Sequence, residues 1–141
     1  ADVVIDYAEH DFVDAIAEWT GGGGVDVVLD VIGGEYLAKN LQCVKVQGRI
    51  IQVGAMGGPV ASLPLGALLP KRASLIGTVL RSRPIEQKID ANQRFLKELF
   101  PRFVDGTLKP VIDSRYPLEK ISDAHTYMAT NANVGKILID L

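Results

Sequence analysis

The segment Val25–Gly58, VDVVLDVIGGEYLAKNLQCVKVQGRIIQVGAMGG, constrains the fold of this chain more than any other part of it. An apolar, β-branched run from Val25 to Ile32 ends in Gly33-Gly34. A helical face of Leu37, Leu41 and Val44 follows. A second apolar run, Arg49 to Val53, ends in Gly54, with Gly57 and Gly58 just beyond. Short runs of this composition predict strands buried on both faces, and the strand–helix–strand order predicts a parallel pair joined by a crossover helix. The segment therefore reads as half of a nucleotide-binding α/β unit.

The pattern extends on both sides. Val3-Val4-Ile5 predicts a short strand. Asp11 offers an N-cap carboxylate to a helix whose face is Phe12, Ile16 and Trp19, and Gly21–Gly24 stop that helix. Leu63–Leu69 predicts one or two helical turns, and Ser74–Leu80 (SLIGTVL) another strand. Beyond Pro84 the character changes. Ile85, Ile89, Leu96, Phe100 and Phe103 trace a long helical stripe that ends near Gly106. Pro110–Asp113 predicts a short strand, Leu118, Ile121, His125 and Met128 a further helix, and Lys136–Leu141 (KILIDL) a closing strand. A boundary is expected between Leu80 and Pro84.

Composition narrows the function classes. The 141 residues suit one domain, and 48% hydrophobic with 23% charged residues suits a globular protein. The net charge is −2 with no basic run, which argues against nucleic acid as a partner. No apolar run reaches membrane-spanning length, so no membrane is expected. Cys43 is the sole cysteine, which precludes an internal disulfide and a cysteine-rich zinc site, and makes a reducing, cytoplasmic setting the expectation.

Ligands of open α/β sheets sit beyond the carboxyl ends of the strands. Gly21–Gly24 precede a strand and read as a plain turn. Gly33-Gly34, Gly54 and Gly57-Gly58 follow strands. Lacking Cβ, they either let backbone approach a ligand or merely cap strands. Asp30 lies late in an apolar strand, where a carboxylate needs partners. It is expected to bond backbone amides of the following loop, the alternative being a ligand ribose. His10 reads as a surface residue, His125 as a packed histidine, Cys43 as inert, and Arg81 and Arg83 as solvated or paired. No nucleophile elbow, acid pair or metal-ligand spacing occurs, so no catalytic residue and no metal ligand are assigned.

Four segments, VDVVLDVIGG, GRIIQVGAMGG, SLIGTVLRSR and AHTYMATNANVGKILIDL, resemble in order and spacing the zinc-independent quinone oxidoreductases of the medium-chain dehydrogenase/reductase superfamily. LRSR with the later NVGKI is most similar to the p53-inducible quinone oxidoreductase branch. The resemblance implies an α/β fold: an incomplete Rossmann-type doubly wound parallel sheet (residues 1–81), plus the C-terminal segment of a GroES-like catalytic domain (residues 82–141). It implies NADPH as cofactor and direct hydride transfer to a quinone or enone. An enoyl reductase of the same superfamily and a non-enzymatic nucleotide-binding module are the alternatives. By position, the implied cofactor contacts are Val31, then Gly54, Ala55, Met56, Gly57 and Gly58, then Thr78, Val79 and Leu80 beside the nicotinamide, and Asn133.

In the strand order 3-2-1-4-5-6 that the resemblance implies, this chain supplies strands three to six. It carries no G-x-G-x-x-G after a strand, and because it opens on a strand at Ala1 it is expected to be the C-terminal piece of a larger enzyme. The edges of Val3–Asp6 and Val25–Ile32 would then lack neighbours, and exposed edges recruit strands, so a homodimer is expected.

Overall fold

The structure, a computed structural model, describes residues 1–141 and divides them into two compact units, Ala1–Arg83 and Pro84–Leu141. Both are mixed α/β with parallel strands.

In the first unit, α1 (Phe12–Trp19) begins where Asp11 accepts the Val13 amide at 2.8 Å. Its first residue stacks on Tyr36 at 5.3 Å between ring centroids, and Lys39 reaches back to the Asp11 carboxylate at 2.7 Å. These contacts tie α1 to α2 (Tyr36–Cys43). The Lys39 hydrogen bond is the main cause holding the Asp11 carboxyl below its ordinary range, with the Val13 N–H second. Gly21–Gly24 form the turn read from the sequence, pinned by the Thr20 hydroxyl, which donates to the Ile16 carbonyl and accepts the Gly24 amide.

Strands β1 (Val25–Asp30), β2 (Val44–Gln52) and β3 (Ser74–Gly77) form a parallel sheet in that order, with α3 (Leu65–Lys71) between the last two. Leu37 and Leu41 from α2 meet Val44 and Ile50 from β2 to make the core. Each fully buried aliphatic side chain contributes about 1.5–3 kcal/mol. Lys71 closes the joint between α2 and α3. Its Nζ donates to the carbonyls of Leu41, Gln42 and Val44 at 2.6–2.7 Å, satisfying acceptors that the end of a helix leaves open.

Several expectations need correction here. Val3–Ile5 forms no strand, because no neighbouring strand pairs with it and an extended segment without a ladder is not a strand. The Val25 strand is not buried on both faces. Val28 packs on the core, but Leu29 is 70% exposed and Val27 is exposed too. Side chains alternate across a strand, so Val28 can meet the core built on α2 and β2 while Val27 and Leu29 point the other way. The second strand starts earlier than Arg49, at Val44, with a register shift before Arg49. The third stops at Gly77 instead of Leu80, and α3 runs Leu65–Lys71 instead of Leu63–Leu69.

In the second unit, α4 (Ile85–Arg94) continues through a π-helical turn (Phe95–Leu99) into α5 (Phe100–Val104). Pro101 accounts for the π turn. It has no N–H to donate and its ring clashes with the preceding turn, so the ladder widens and the Phe100 amide reaches Phe95. Strands β4 (Ile112–Pro117) and β5 (Lys136–Asp140) pair in parallel, clipped by Arg115–Asp140 at 2.6 Å. The first of these was expected at Pro110–Asp113. It runs Ile112–Pro117 instead, where its residues pair with β5. One residue before it, the Val111 carbonyl accepts the amide of Lys136, the first residue of β5; within it, the Asp113 carboxylate accepts the Val134 amide. Between them α6 (Ile121–Ala129) buries Ala124. His125, expected to be packed, is exposed and borders a hollow of about 100 Å³ lined by apolar residues of α6 and β5.

Candidate functional site

The parallel register sets Asp30, Gln52 and Gly77 in one row at the carboxyl ends of β1, β2 and β3. The ladder continues one step past that row, where the Val53 amide donates to the Asp30 carbonyl and the Thr78 amide to the Gln52 carbonyl. The three strand exits are therefore held side by side.

Asp30 organises the first exit. Only 4% exposed, its carboxylate accepts the Ile32 amide at 2.6 Å, the Gly33 amide at 3.1 Å and Asn40 Nδ2 at 2.8 Å. The structural role read from the sequence holds: three donors satisfy a buried acceptor, as burial demands. Asn40 sits on α2, so the same contact fixes the loop to the helix it feeds.

The glycines explain why the two exit loops lie so close. The Gly57 amide donates to the Ile32 carbonyl at 2.7 Å and the Met56 amide to the Val31 carbonyl at 3.4 Å. A Cβ on Gly54 would lie 2.7 Å from the Val31 carbonyl oxygen. One on Gly34 would lie 2.6 Å from the Gly57 carbonyl oxygen. Gly34 also has φ +56°, where a side chain is strained whatever the space. Sequence reasoning weighed ligand approach against strand capping. The geometry adds a third use, backbone-to-backbone packing of one loop on the other.

These exits border a cleft of about 380 Å³. Gly33 and Gly34 line it from β1, Gln52, Gly54, Ala55 and Gly58 from β2, and Leu75 and Gly77 from β3. Leu37, Pro59 and Ala61 complete an apolar wall, and Gln52 is the one lining residue with a polar side chain. Such a surface, mostly apolar with one convergent polar group, suits a flat ring.

The residues singled out by resemblance are placed as follows. Gly54, Ala55 and Gly58 line the cleft. Val31 and Gly57 lie in the loop-to-loop contact, and Met56 is 76% exposed. Thr78, Val79 and Leu80 follow β3; the Thr78 hydroxyl and the Val79 carbonyl accept from Arg83, which is thus paired. Asn133 belongs to the second unit, where its Nδ2 donates to the Gly135 carbonyl at 3.3 Å. Gly33 and Gly34, picked out by the strand-end rule and not by resemblance, line the cleft too, whereas Gln52 and Gly77 were not singled out. Their strand-end positions were the available signal.

A wider hollow of about 490 Å³ runs along Val3–Asp6 and Trp19. It shares no residue with the strand-end cleft and lies beside a segment that has no strand partner, so the cleft is the better candidate. No group of three or more His, Cys, Asp or Glu side chains stands close enough to hold a metal ion. Cys43 is buried, and burial raises its thiol above the ordinary range, with Lys71 opposing. That disfavours the thiolate a metal requires.

Comparison with known proteins gives the cleft its context. The family model described as zinc-binding dehydrogenase matches residues 1–139. Quinone oxidoreductase-like protein 2 of Bos taurus is 31% identical over 137 residues, covering 97% of this chain and 39% of its own length. The human quinone oxidoreductase is 32% identical over 137 residues, covering 96% of this chain and 40% of its own. Among solved structures, a quinone oxidoreductase of Pseudomonas syringae superposes with a TM-score of 0.74 at 28% identity, covering 96% of this chain and 42% of that one. The chain thus spans about 39% of the length of the curated relatives it matches.

Proposed function

The chain belongs to the zinc-binding dehydrogenase family, and from that premise we propose that it forms the nicotinamide-side wall of an NADPH site in a quinone reductase. The observation that carries this reading is the glycine-lined cleft at the carboxyl ends of three parallel strands, where α/β sheets bind their ligands. The relatives are named as quinone oxidoreductases, which supports a quinone or a related electrophilic alkene as acceptor.

The bound cofactor supplies the hydride, and the protein supplies position and exclusion of water. In this reading Gly54–Gly58 and Val31 face the cofactor, and Thr78–Leu80 lie near its reactive ring. No side chain of the cleft is suited to acid or base work. The family's description names zinc, but this chain's donors do not fit one: its single cysteine is buried and no cluster of ligands forms. The absence of a G-x-G-x-x-G after a strand leaves the pyrophosphate without its usual backbone cradle in this chain.

We further propose a cytoplasmic setting, consistent with a sole, buried cysteine, and a homodimer, favoured by the unpaired outer edges of β1 and β3. Light scattering on the chain is expected to return twice the monomer mass; a clean monomer removes the dimer from the proposal.

A chimera tests the activity. With this chain in place of the matching region of the human quinone oxidoreductase, NADPH consumption is expected to depend on added quinone. A folded chimera that binds NADPH yet shows no quinone-dependent consumption contradicts the assignment.

A further inference from the structure

We propose that Gln52 is a specificity-determining residue of the cleft, a fixed hydrogen-bond acceptor that selects a ligand carrying a primary carboxamide. The proposal rests on the nicotinamide reading above and names the group that would read the ring's substituent.

Two backbone carbonyls hold the side chain. Gln52 Nε2 donates to the Gly54 carbonyl at 2.6 Å and to the Asp30 carbonyl at 3.3 Å. Only the NH₂ end of a carboxamide can serve two carbonyl oxygens, so these partners fix which end of the amide faces which way. The opposite end, Oε1, has no partner within the chain and is not among the buried polar atoms left unsatisfied, so it is open to solvent. The acceptor is also held in place. Gln52 sits at the end of the central strand, its own carbonyl takes the Thr78 amide, and its Nε2 bridges the exits of β1 and β2.

The surroundings decide what such an acceptor can select. Every other residue lining the cleft is glycine, alanine, leucine or proline. A flat ring fits that wall, and its single polar substituent has one side chain to meet. With both NH₂ hydrogens committed, Gln52 offers an acceptor and no donor. A carboxamide N–H satisfies it. A carboxylate or a ketone of the same shape would place oxygen against oxygen. A site that loses its matched donor leaves polar groups unpaired, which is where hydrogen-bond selectivity arises.

The test compares nicotinamide mononucleotide with acetylpyridine mononucleotide, in which a methyl ketone replaces the carboxamide, and with nicotinate mononucleotide. Each is titrated into the 141-residue chain and into Gln52→Met, which keeps the length and removes the hydrogen bonds. The wild-type chain is expected to bind the carboxamide about tenfold more tightly than the ketone, and nicotinate no better than the ketone. Gln52→Met is expected to bring the carboxamide-to-ketone ratio to near unity. Retained protection of the Gly57 amide against hydrogen exchange verifies that the exit loops of that variant stay packed. If the loops loosen, Gln52→Leu is the second variant and the same ratio is read. Binding that keeps its preference in either variant overturns the assignment of Gln52 and leaves the cleft reading intact. So does an equal weakening of carboxamide and ketone. A wild-type chain that binds none of the three overturns the cleft reading and this assignment together.

Discussion

Asp30→Ala is expected to lower the unfolding free energy by about 3 kcal/mol, because it strips a buried acceptor from the Ile32 and Gly33 amides and from Asn40 Nδ2. The Gly33 amide and Asn40 Nδ2 are left buried without the carboxylate, and the cost of an unmet buried donor exceeds the net worth of the bond it lost. Asp30→Asn keeps the shape. Its Oδ1 still serves the two amides, but its NH₂ now faces the NH₂ of Asn40, so about 1–2 kcal/mol is lost. The exchange Asp30→Asn with Asn40→Asp restores a donor opposite an acceptor and is expected to recover at least half of that loss. Urea unfolding of the single and double variants gives the coupling directly. Losses that simply add would mean that the Asp30–Asn40 contact does not organise the first strand exit.

Gly34→Ala is expected to cost about 2–4 kcal/mol, from αL strain and from a Cβ placed 2.6 Å from a backbone oxygen that cannot swing away. Gly54→Ala removes the strain argument, since Gly54 is not at positive φ, and tests the 2.7 Å approach to the Val31 carbonyl alone. It is expected to cost less than Gly34→Ala while still separating the loops. Gly66→Ala is the control. Nothing lies within 4 Å of its added methyl, and in α3 alanine is favoured over glycine by up to about 1 kcal/mol. Thermal unfolding of the three variants should therefore rank Gly66→Ala above wild type, Gly54→Ala below it and Gly34→Ala lowest. Equal behaviour of Gly34→Ala and Gly66→Ala would show that the loop-to-loop approach carries no stability.

The parallel α/β order was legible because the three runs that became β1, β2 and β3 are apolar, rich in β-branched residues and bounded by glycine, a pattern set by local chemistry. What was not legible depends on neighbours. Composition marks Val27 and Leu29 as strand residues, but whether their face is covered is decided by where α2 and α3 pack. Val3–Ile5 has strand chemistry and no strand beside it, so its pattern was right and its ladder absent. The stripe from Ile85 to Phe103 was read as one helix without regard to Pro101, and the π turn that interrupts it depends on the backbone finding its next acceptor.

The cleft divides in the same way. The rule that ligands sit at the carboxyl ends of strands picked out Gly33-Gly34 and Gly54–Gly58 and set aside Gly21–Gly24. It could not reveal that the chosen glycines pack on one another, because that contact joins residues about twenty apart in sequence. Gln52 carried no motif at all. It is notable only once register sets it between Asp30 and Gly77 and the cleft proves otherwise apolar.

The central claim, that the strand-end cleft is a nicotinamide-nucleotide wall, is tested most directly by an amide-resolved NMR titration of the chain with NADPH. Saturable shifts are predicted at Gly33-Gly34, Gly54–Gly58 and Gly77–Leu80, with weak affinity because no glycine-rich phosphate loop is present. Shifts concentrated instead at Val3–Asp6 and Trp19, or no saturable shifts, would contradict it.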